Sequence, residues 1–169
     1  VKEKLITNKE AVLRVDPNTL YTLLHPTLNE KAEKKIIASG LPASPGAASG
    51  KVTFSADEAE RLNEQMQDTI LVRAETSPED ISGMHAAKGI LTARGGMTSH
   101  AAVVARGMGK PCVTGSSEIK VDYENKLFKS RNFEVKEGDL ITIDGGSGKV
   151  MLGEVPTVKP DVSGDFSKL

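Results

Sequence analysis

Between residues 50 and 115 the sequence alternates short apolar segments with short helical ones, and this alternation is the strongest constraint on the fold. The predicted strands are GKVTFS, TILVRA, GILTA and CVTG, at 50–55, 69–74, 89–93 and 112–115. The predicted helices lie between them, at 56–67, 77–87 and 98–108. Ser77, Pro78 and the acidic residues after them are typical of a helix start. The order β-α-β-α-β-α-β predicts a mixed α/β domain with layers of sheet and helix.

From residue 118 onward the pattern becomes that of a β-meander. Alternating apolar and polar residues predict strands in EIKVDY, KLFKS, NFEVK, LITIDG and KVML. Turns are expected at Glu124-Asn125, Gly138-Asp139 and 145–148, where turn-forming residues cluster.

Proline and glycine predict a division of the chain into three parts. Residues 1–39 are polar, with helical patches broken by Pro17 and Pro26, and are expected to form an N-terminal arm. The segment 41–50 has two prolines and two glycines, which indicates entry from a linker. A compact body is therefore predicted over 40–153 and a loose C-terminal linker over 154–169. Because the chain begins with Val1, we expect a piece of a longer protein.

Charge and composition argue against several functions. Lys and Arg number 22 and Asp and Glu 23, so no net positive charge favours nucleic acid or an acidic membrane surface. No apolar run approaches the ~20 residues of a membrane helix, and no signal peptide is visible. Cys112 is the only cysteine, which excludes an internal disulfide and a cysteine zinc site. We expect it to be an inert core thiol in a cytoplasmic protein, although an organelle is also compatible.

Glycine and histidine motifs of other enzyme classes are absent. Each Gly-Lys pair lacks the spacing of a phosphate-binding loop, so backbone turns are predicted there. Ser99 and His100 are adjacent on a helix and do not face each other, which argues against a hydrolase pair. His25 is expected to be solvated, and His85 to be packed or simply exposed. The three histidines lack metal-ligand spacing.

His100 stands out because of what surrounds it in GGMTSHAAVVARGMGKP. With Thr98 or Ser99 as N-cap, His100 falls in the first helical turn, where free N–H groups and the helix dipole favour a neutral ring and a bound anion. Gly95 and Gly96 leave room for a phosphate donor, so Gly96→Val is expected to block its approach or strain the turn. The residues favour a phosphoryl acceptor, but a histidine that only caps or packs the helix is the alternative.

The string GGMTSHAAVVARGMGKPCVTG resembles the phosphohistidine signature of the phosphoenolpyruvate-utilising enzymes. Within that family, ETSPEDISGMHAAKGILTARGGMTSH resembles the pyruvate, phosphate dikinases rather than the pyruvate–water dikinases or enzyme I. LPASPGAASGKVTFSADEAE and EAVLRVDPNTLYTLLHPTL fit the same family, so the resemblance covers nearly the entire chain.

The resemblance implies a central swivelling domain of layered β/β/α type. An ATP-grasp domain would precede it, a phosphoenolpyruvate/pyruvate-binding barrel would follow it, and the full enzyme would be a homodimer. In the family reaction ATP pyrophosphorylates the histidine, phosphate removes one phosphoryl group as pyrophosphate, and pyruvate takes the other to give phosphoenolpyruvate. Mg²⁺ would be bound by the other domains, with no cofactor expected in this chain.

The resemblance also implies roles for single residues. His100 matches the phosphoryl carrier, and in the family the phosphoryl group is on Nε2. Thr98 matches a position that a regulatory kinase/phosphatase modifies in some members, although it could equally be an N-cap. Arg94, Gly95, Gly96 and Ser99 are candidates to line the phosphate, and Arg106 is expected to have a structural or docking role. The rival functions are the carrier domain of a pyruvate–water dikinase or enzyme I, and a non-catalytic docking module.

Overall fold

The computed structural model describes residue 3 and residues 5–160, and mixes short helices with many strands over that range. The helices are α1 (Asn8–Leu13), α2 (Pro17–Leu23), α3 (Ala56–Glu64), α4 (Ile81–Ala86) and α5 (His100–Met108). The first strands are β1 (Thr27–Leu28), β2 (Ile36–Ser39), β3 (Leu41–Ser44), β4 (Ala47–Thr53), β5 (Thr69–Arg73), β6 (Gly89–Thr92) and β7 (Cys112–Thr114). The later strands are β8 (Lys120–Asp122), β9 (Leu127–Ser130), β10 (Phe133–Lys136), β11 (Leu140–Asp144), β12 (Lys149–Leu152) and β13 (Thr157–Val158).

Eight strands form the main sheet in the order β2-β12-β11-β4-β5-β6-β7-β3. The pairs from β4 to β7 are parallel, and the other pairs are antiparallel. Strands β8 to β10 form a separate three-stranded antiparallel sheet, and β1 pairs with β13. The prediction of a mixed α/β domain is confirmed.

The main sheet is rolled, because its two edge strands are joined by a single residue. Strands β2 and β3 stand at opposite ends of the strand order, yet only Gly40 separates them. The amide of Gly40 donates to the carbonyl of Gly148 at 2.7 Å, so the β11–β12 turn meets this junction. A Cβ on Gly145 in that turn would lie 1.8 Å from the carbonyl oxygen of Ser44, and only glycine fits there.

The two faces of the central strands enter different cores, because successive side chains on a strand point to opposite faces. Ile70 and Val72 face the larger core with Leu91, while Leu71 and Ile90 face the core beneath α4 and α5. Burial on both faces explains why these strands are apolar runs rather than alternating sequences.

The segment expected to be a linker entry instead forms strands of the main sheet. Strand β3 occupies Leu41–Ser44 and strand β4 begins at Ala47. Pro42 is compatible with β3 because β3 is an edge strand, the position in a sheet where proline is tolerated. Strand β2 lies within the predicted arm, so the sheet extends beyond the boundary expected at residue 40, and the three-part division stays a prediction.

The short β1–β13 pair joins a segment after α2 to a segment near the end of the described residues. Thr27 is the register partner of Val158, which brings the predicted arm and the predicted C-terminal linker side by side. The rest of that linker, 161–169, lies outside the described residues. Within residue 3 and 5–160, none of the helices has the length and apolar character needed to cross a bilayer.

Two helical glycines differ sharply in their surroundings and test the packing of α4 against α3. A Cβ on Gly83 would lie 2.4 Å from Cα of Ala56, whereas a Cβ on Gly107 would meet nothing within 4 Å. We expect Gly83→Ala to lower the free energy of unfolding, because the two helices must separate. Gly107→Ala should raise it by about 0.5–1 kcal/mol, through helix propensity alone. Urea unfolding of both variants checks this, and a stabilised Gly83→Ala would contradict the packing.

Candidate functional site

His100 is the first residue of α5, and Ser99 is the N-cap of that helix. The Ser99 hydroxyl accepts from the amide of Ala102 at 3.4 Å. The cap expected at Thr98 or Ser99 is therefore Ser99, while Thr98 is exposed. The imidazole thus lies in the first turn, where the helix dipole favours an anion.

Small residues let α5 lie close on the sheet. Its inward face consists of Ala101, Ala102 and Ala105, all at most 2% exposed. Val104 and Met108 pack against the same core, but Val103 does not, since it is 54% exposed. His100 and Val103 are three residues apart and so share the outward side of the helix.

The ring of His100 forms a hydrogen bond with Thr76, a residue that no sequence pattern identified. Nδ1 of His100 lies 2.9 Å from Oγ1 of Thr76, which follows strand β5 in a short segment before α4. His100 is partly buried, and this bond fixes one of its two ring nitrogens. Nε2 is then the ring nitrogen that is available to react. The apolar run of β5 predicts a strand end near residue 74, but no pattern shows which residue after it meets a histidine 24 positions away.

The loop before α5 contains the two glycines, and they have different roles. Gly95 has a φ of +114°, and a Cβ there would lie 3.0 Å from the Ser99 side chain. A Cβ on Gly96 would meet nothing within 4 Å. The backbone strain expected for Gly96→Val is therefore wrong for Gly96 and belongs to Gly95, whereas open space beside Gly96 fits the approach of a second molecule.

Two arginines near this loop differ in their contacts. Arg94 is exposed, and its Nε lies 3.9 Å from Oε1 of Glu75, a solvent-exposed pair that adds little stability. Arg106 is half-buried and donates through Nη1 to the carbonyl of Ala43 at 2.9 Å and through Nη2 to that of Met97 at 2.7 Å. Arg106 thus ties α5 to strand β3 and to the loop that precedes His100, which is a structural role.

Cys112 lies beneath α5 and is fully buried. Burial raises the pKa of its thiol to about 12, and the charge of Arg106 offsets this only in part. Its Sγ lies 3.9 Å from the carbonyl oxygen of Ala101, at the limit for a weak hydrogen bond. The thiol therefore stays protonated at neutral pH and has the character of a core residue.

The other histidines are on different elements from His100, with His25 just after α2 and His85 on α4. His25 is partly buried rather than solvated, with Nδ1 2.7 Å from the carbonyl oxygen of Tyr21. His85 is exposed, and its backbone carbonyl accepts from Lys110. Across residue 3 and 5–160, no group of three or more His, Cys, Asp and Glu side chains could hold a metal ion. The described residues therefore do not fit a Mg²⁺ site.

Comparison with known families gives these observations a context. A family model described as "PEP-utilising enzyme, mobile domain" matches residues 65–148, a range that includes Thr76, His100 and Cys112. The chain belongs to this family. The match ends at residue 148, within the turn between β11 and β12 of this mobile domain.

Relatives of the mobile domain extend the likeness to almost the whole chain. "Pyruvate, phosphate dikinase" of Rhizobium meliloti (strain 1021) is 58% identical over 99% of this chain and 19% of the relative's length. The chloroplastic "Pyruvate, phosphate dikinase" of Mesembryanthemum crystallinum is 53% identical over 98% of this chain and 18% of its own length. The chain thus spans about a fifth of these relatives.

Among solved structures, an NMR solution structure of Enzyme I is similar to part of the mobile domain. It shares 29% sequence identity, covers 50% of this chain and 30% of its own, and has a TM-score of 0.37. A TM-score this low does not establish a shared fold.

The glycine pair of the mobile domain offers a matched test of the loop. Gly95→Ala should lower the free energy of unfolding by about 1–3 kcal/mol, because alanine rarely adopts a left-handed φ. Gly96→Ala should change it by less than about 0.5 kcal/mol, since its added methyl group meets no neighbour. Urea unfolding of the two variants measures both, and equal losses would contradict the assignment of strain to Gly95.

The buried thiol of the mobile domain gives a pH-dependent prediction. In the unfolded chain the thiol ionises near its ordinary pKa of 9.0, but in the folded chain only near 12. The unfolded state therefore binds fewer protons between these values, and stability should fall as pH rises from about 9 toward 12. Cys112→Ala should remove that part of the fall, as measured by urea unfolding at pH 8 and pH 10. An aromatic disulfide reagent at pH 8 should label wild-type Cys112 only after denaturation, and rapid labelling of the folded protein would contradict its burial.

Proposed function

We propose that this chain is the central phosphoryl-carrier domain of a pyruvate, phosphate dikinase. His100 is pyrophosphorylated by ATP, loses the terminal phosphoryl group to inorganic phosphate, and passes the remaining one to pyruvate to form phosphoenolpyruvate. All these steps are reversible. The observation that supports this best is the placement of His100 at the start of α5, with Nδ1 hydrogen-bonded to Oγ1 of Thr76 and open space beside Gly96.

The bond to Thr76 suits attack by Nε2. A neutral imidazole carries one proton, and Nε2 is nucleophilic only when that proton is on Nδ1. Oγ1 of Thr76 can accept from Nδ1–H, and in that tautomer the lone pair of Nε2 is free to attack. When Nε2 forms a bond to phosphorus, the bond from phosphorus to the donor's bridging oxygen breaks, and that oxygen leaves with the electron pair. Nδ1 keeps its proton throughout, so Thr76 remains a partner for the phosphorylated ring.

The start of α5 also suits the phosphate that the ring would hold. The first-turn amides and the dipole of this nine-residue helix favour negative charge at His100. Gly95, Gly96 and Ser99 supply a loop with little side-chain bulk beside the ring, and Arg94 is near enough in sequence to reach a docked donor. We propose these four residues as the surroundings of the phosphate.

The rest of the enzyme would supply the two reactions that His100 joins. We propose an ATP-grasp domain before this chain and a phosphoenolpyruvate/pyruvate barrel after it, with Mg²⁺ bound by those domains and a homodimeric whole. The short β1–β13 pair fits a tethered body that moves between two sites, since tethering raises the effective concentration of His100 at each. The rolled sheet with helices outside it would correspond to the layered β/β/α type. We propose a cytoplasmic or organellar location.

Thr98 is proposed as a site of regulatory phosphorylation by a kinase/phosphatase. It is exposed, and Ser99 rather than Thr98 caps the helix, so its hydroxyl is not needed for the cap. A phosphate there would place about two negative charges two residues from His100 and repel an incoming phosphoryl donor.

The names of the relatives favour this enzyme over its rivals. Both relatives above are called pyruvate, phosphate dikinase and match nearly the whole chain at 53% identity or more. A carrier domain of enzyme I or a pyruvate–water dikinase, and a docking module without covalent chemistry, are therefore the outcomes that an experiment should separate.

The test is the intact mass of the full-length protein that contains this chain, after incubation with phosphoenolpyruvate and Mg²⁺. We expect a phosphoryl adduct that survives neutral pH and is lost in acid, and its complete absence in His100→Ala. His85→Ala, which removes an exposed histidine from the same chain, serves as the matched control and should keep the adduct.

Three other outcomes contradict the proposal. An adduct that persists in His100→Ala would place the phosphoryl group elsewhere, and an acid-stable adduct would indicate a hydroxyl acceptor. Absence of any adduct in wild type would favour the docking module. Formation of phosphoenolpyruvate from ATP, phosphate and pyruvate then separates the dikinase from enzyme I and from pyruvate–water dikinase.

A further inference from the structure

The position of Thr76 depends on the conformation of residues 74–77, and the hydrogen bond with Thr76 orients the ring of His100. This segment follows β5 and precedes the 3-10 turn Pro78–Asp80, so no helix or sheet ladder fixes it. Its position therefore depends on hydrogen bonds at its two ends.

Its C-terminal end is held by Asp80, which is only 5% exposed. Oδ2 of Asp80 accepts from the amide of Ser77 at 2.9 Å and from its hydroxyl at 3.4 Å. Oδ1 of Asp80 lies 3.4 Å from Nε of Arg73, the residue that directly precedes the segment. These contacts are local and belong to the start of the helical region.

Its N-terminal end is held from the three-stranded sheet. The hydroxyl of Tyr123, just after β8, accepts from the amide of Ala74 at 2.6 Å. The guanidinium carbon of Arg73 lies 4.7 Å from the centre of the Tyr123 ring, which fixes the ring by a cation–π contact. The carbonyl of Ala74 accepts from the amide of Arg94 at 2.9 Å. Ala74 therefore joins Tyr123 to both loops that flank His100.

We propose that Tyr123 is a positioning residue for the phosphoryl-accepting histidine. Its hydroxyl fixes Ala74, and Ala74 fixes the segment that presents Oγ1 of Thr76 to Nδ1 of His100. Without the hydroxyl, the amide of Ala74 turns to water and the segment gains freedom. The Thr76–His100 bond is then formed less of the time, and Nε2 is held less well as a nucleophile. This inference rests on the proposed function of His100.

The experiment compares Tyr123→Phe with Tyr21→Phe in the full-length protein. Both tyrosines are about equally exposed, at 42% and 43%, but Tyr21 is on α2 beside His25. Phosphorylation of His100 by phosphoenolpyruvate with Mg²⁺ is followed in a single turnover. We expect Tyr123→Phe to lower the maximal rate about fivefold, the effect of one lost hydrogen bond, with the half-saturating phosphoenolpyruvate concentration unchanged. Tyr21→Phe should match wild type.

A double-mutant cycle with Thr76→Val separates positioning from general loss of structure. If Tyr123 acts through Thr76, Tyr123→Phe should slow wild type but not the Thr76→Val protein. Rate losses that multiply in the double variant would overturn the proposal, as would an unchanged rate in Tyr123→Phe. A lower melting temperature of Tyr123→Phe does not affect this test. The cycle measures the effect of Tyr123→Phe with Thr76 present and in the Thr76→Val protein, and both measurements include the same loss of stability.

The ring itself gives a readout that needs no phosphoryl donor. In ¹⁵N-histidine-labelled full-length protein, the Nδ1 and Nε2 shifts of His100 should report one tautomer in wild type and a mixture in Tyr123→Phe. A tautomer unchanged by the substitution would overturn the positioning role. Failure of the proposed function is distinguishable, because it would appear as a wild-type protein without an acid-labile adduct, whatever the tautomer result.

Discussion

Direct contact between backbone segments at Gly40 and the β11–β12 turn holds the rolled sheet together. The amide of Gly40 donates to the carbonyl of Gly148, and a side chain on Gly145 or Gly148 would collide with the backbone opposite. Strands β2 and β3 can therefore leave the same residue and still form the two ends of one sheet. The rolled sheet encloses the larger core, and helices α4 and α5 pack on its other face.

This geometry sets the place of His100. Strands β5 and β6 are parallel, with Arg73 opposite Thr92 at their carboxyl ends, so the loops after them emerge side by side. One loop carries Thr76 and the other carries the Gly95 turn that leads to α5. Parallel sheets gather functional groups at this edge, since every strand delivers its following loop there. The alanine face of α5 then brings the helix start close enough for Thr76 to reach the ring.

Local patterns in the sequence identified the elements and the principal residue. The alternation between 50 and 115 predicted four strands and three helices near their observed positions, and the Gly-Gly and Ser-His string placed His100 in a first turn. The prolines of segment 41–50 led to the prediction of a linker entry, which is wrong because β3 pairs with β7. LPAS forms an edge strand despite Pro42, because the edge of β7 was open to it.

The sequence by itself determined the mixed α/β class, the start of α5 near His100, the burial of Cys112 and the candidacy of His100, because each depends on residues close together along the chain. Only the tertiary structure decided that the sheet rolls, that Thr76 meets the imidazole and that Tyr123 anchors the segment between them. Tyr123 is 49 residues from Ala74 and His100 is 24 from Thr76. Contacts over such separations depend on strand order and register, which periodicity and capping rules do not specify.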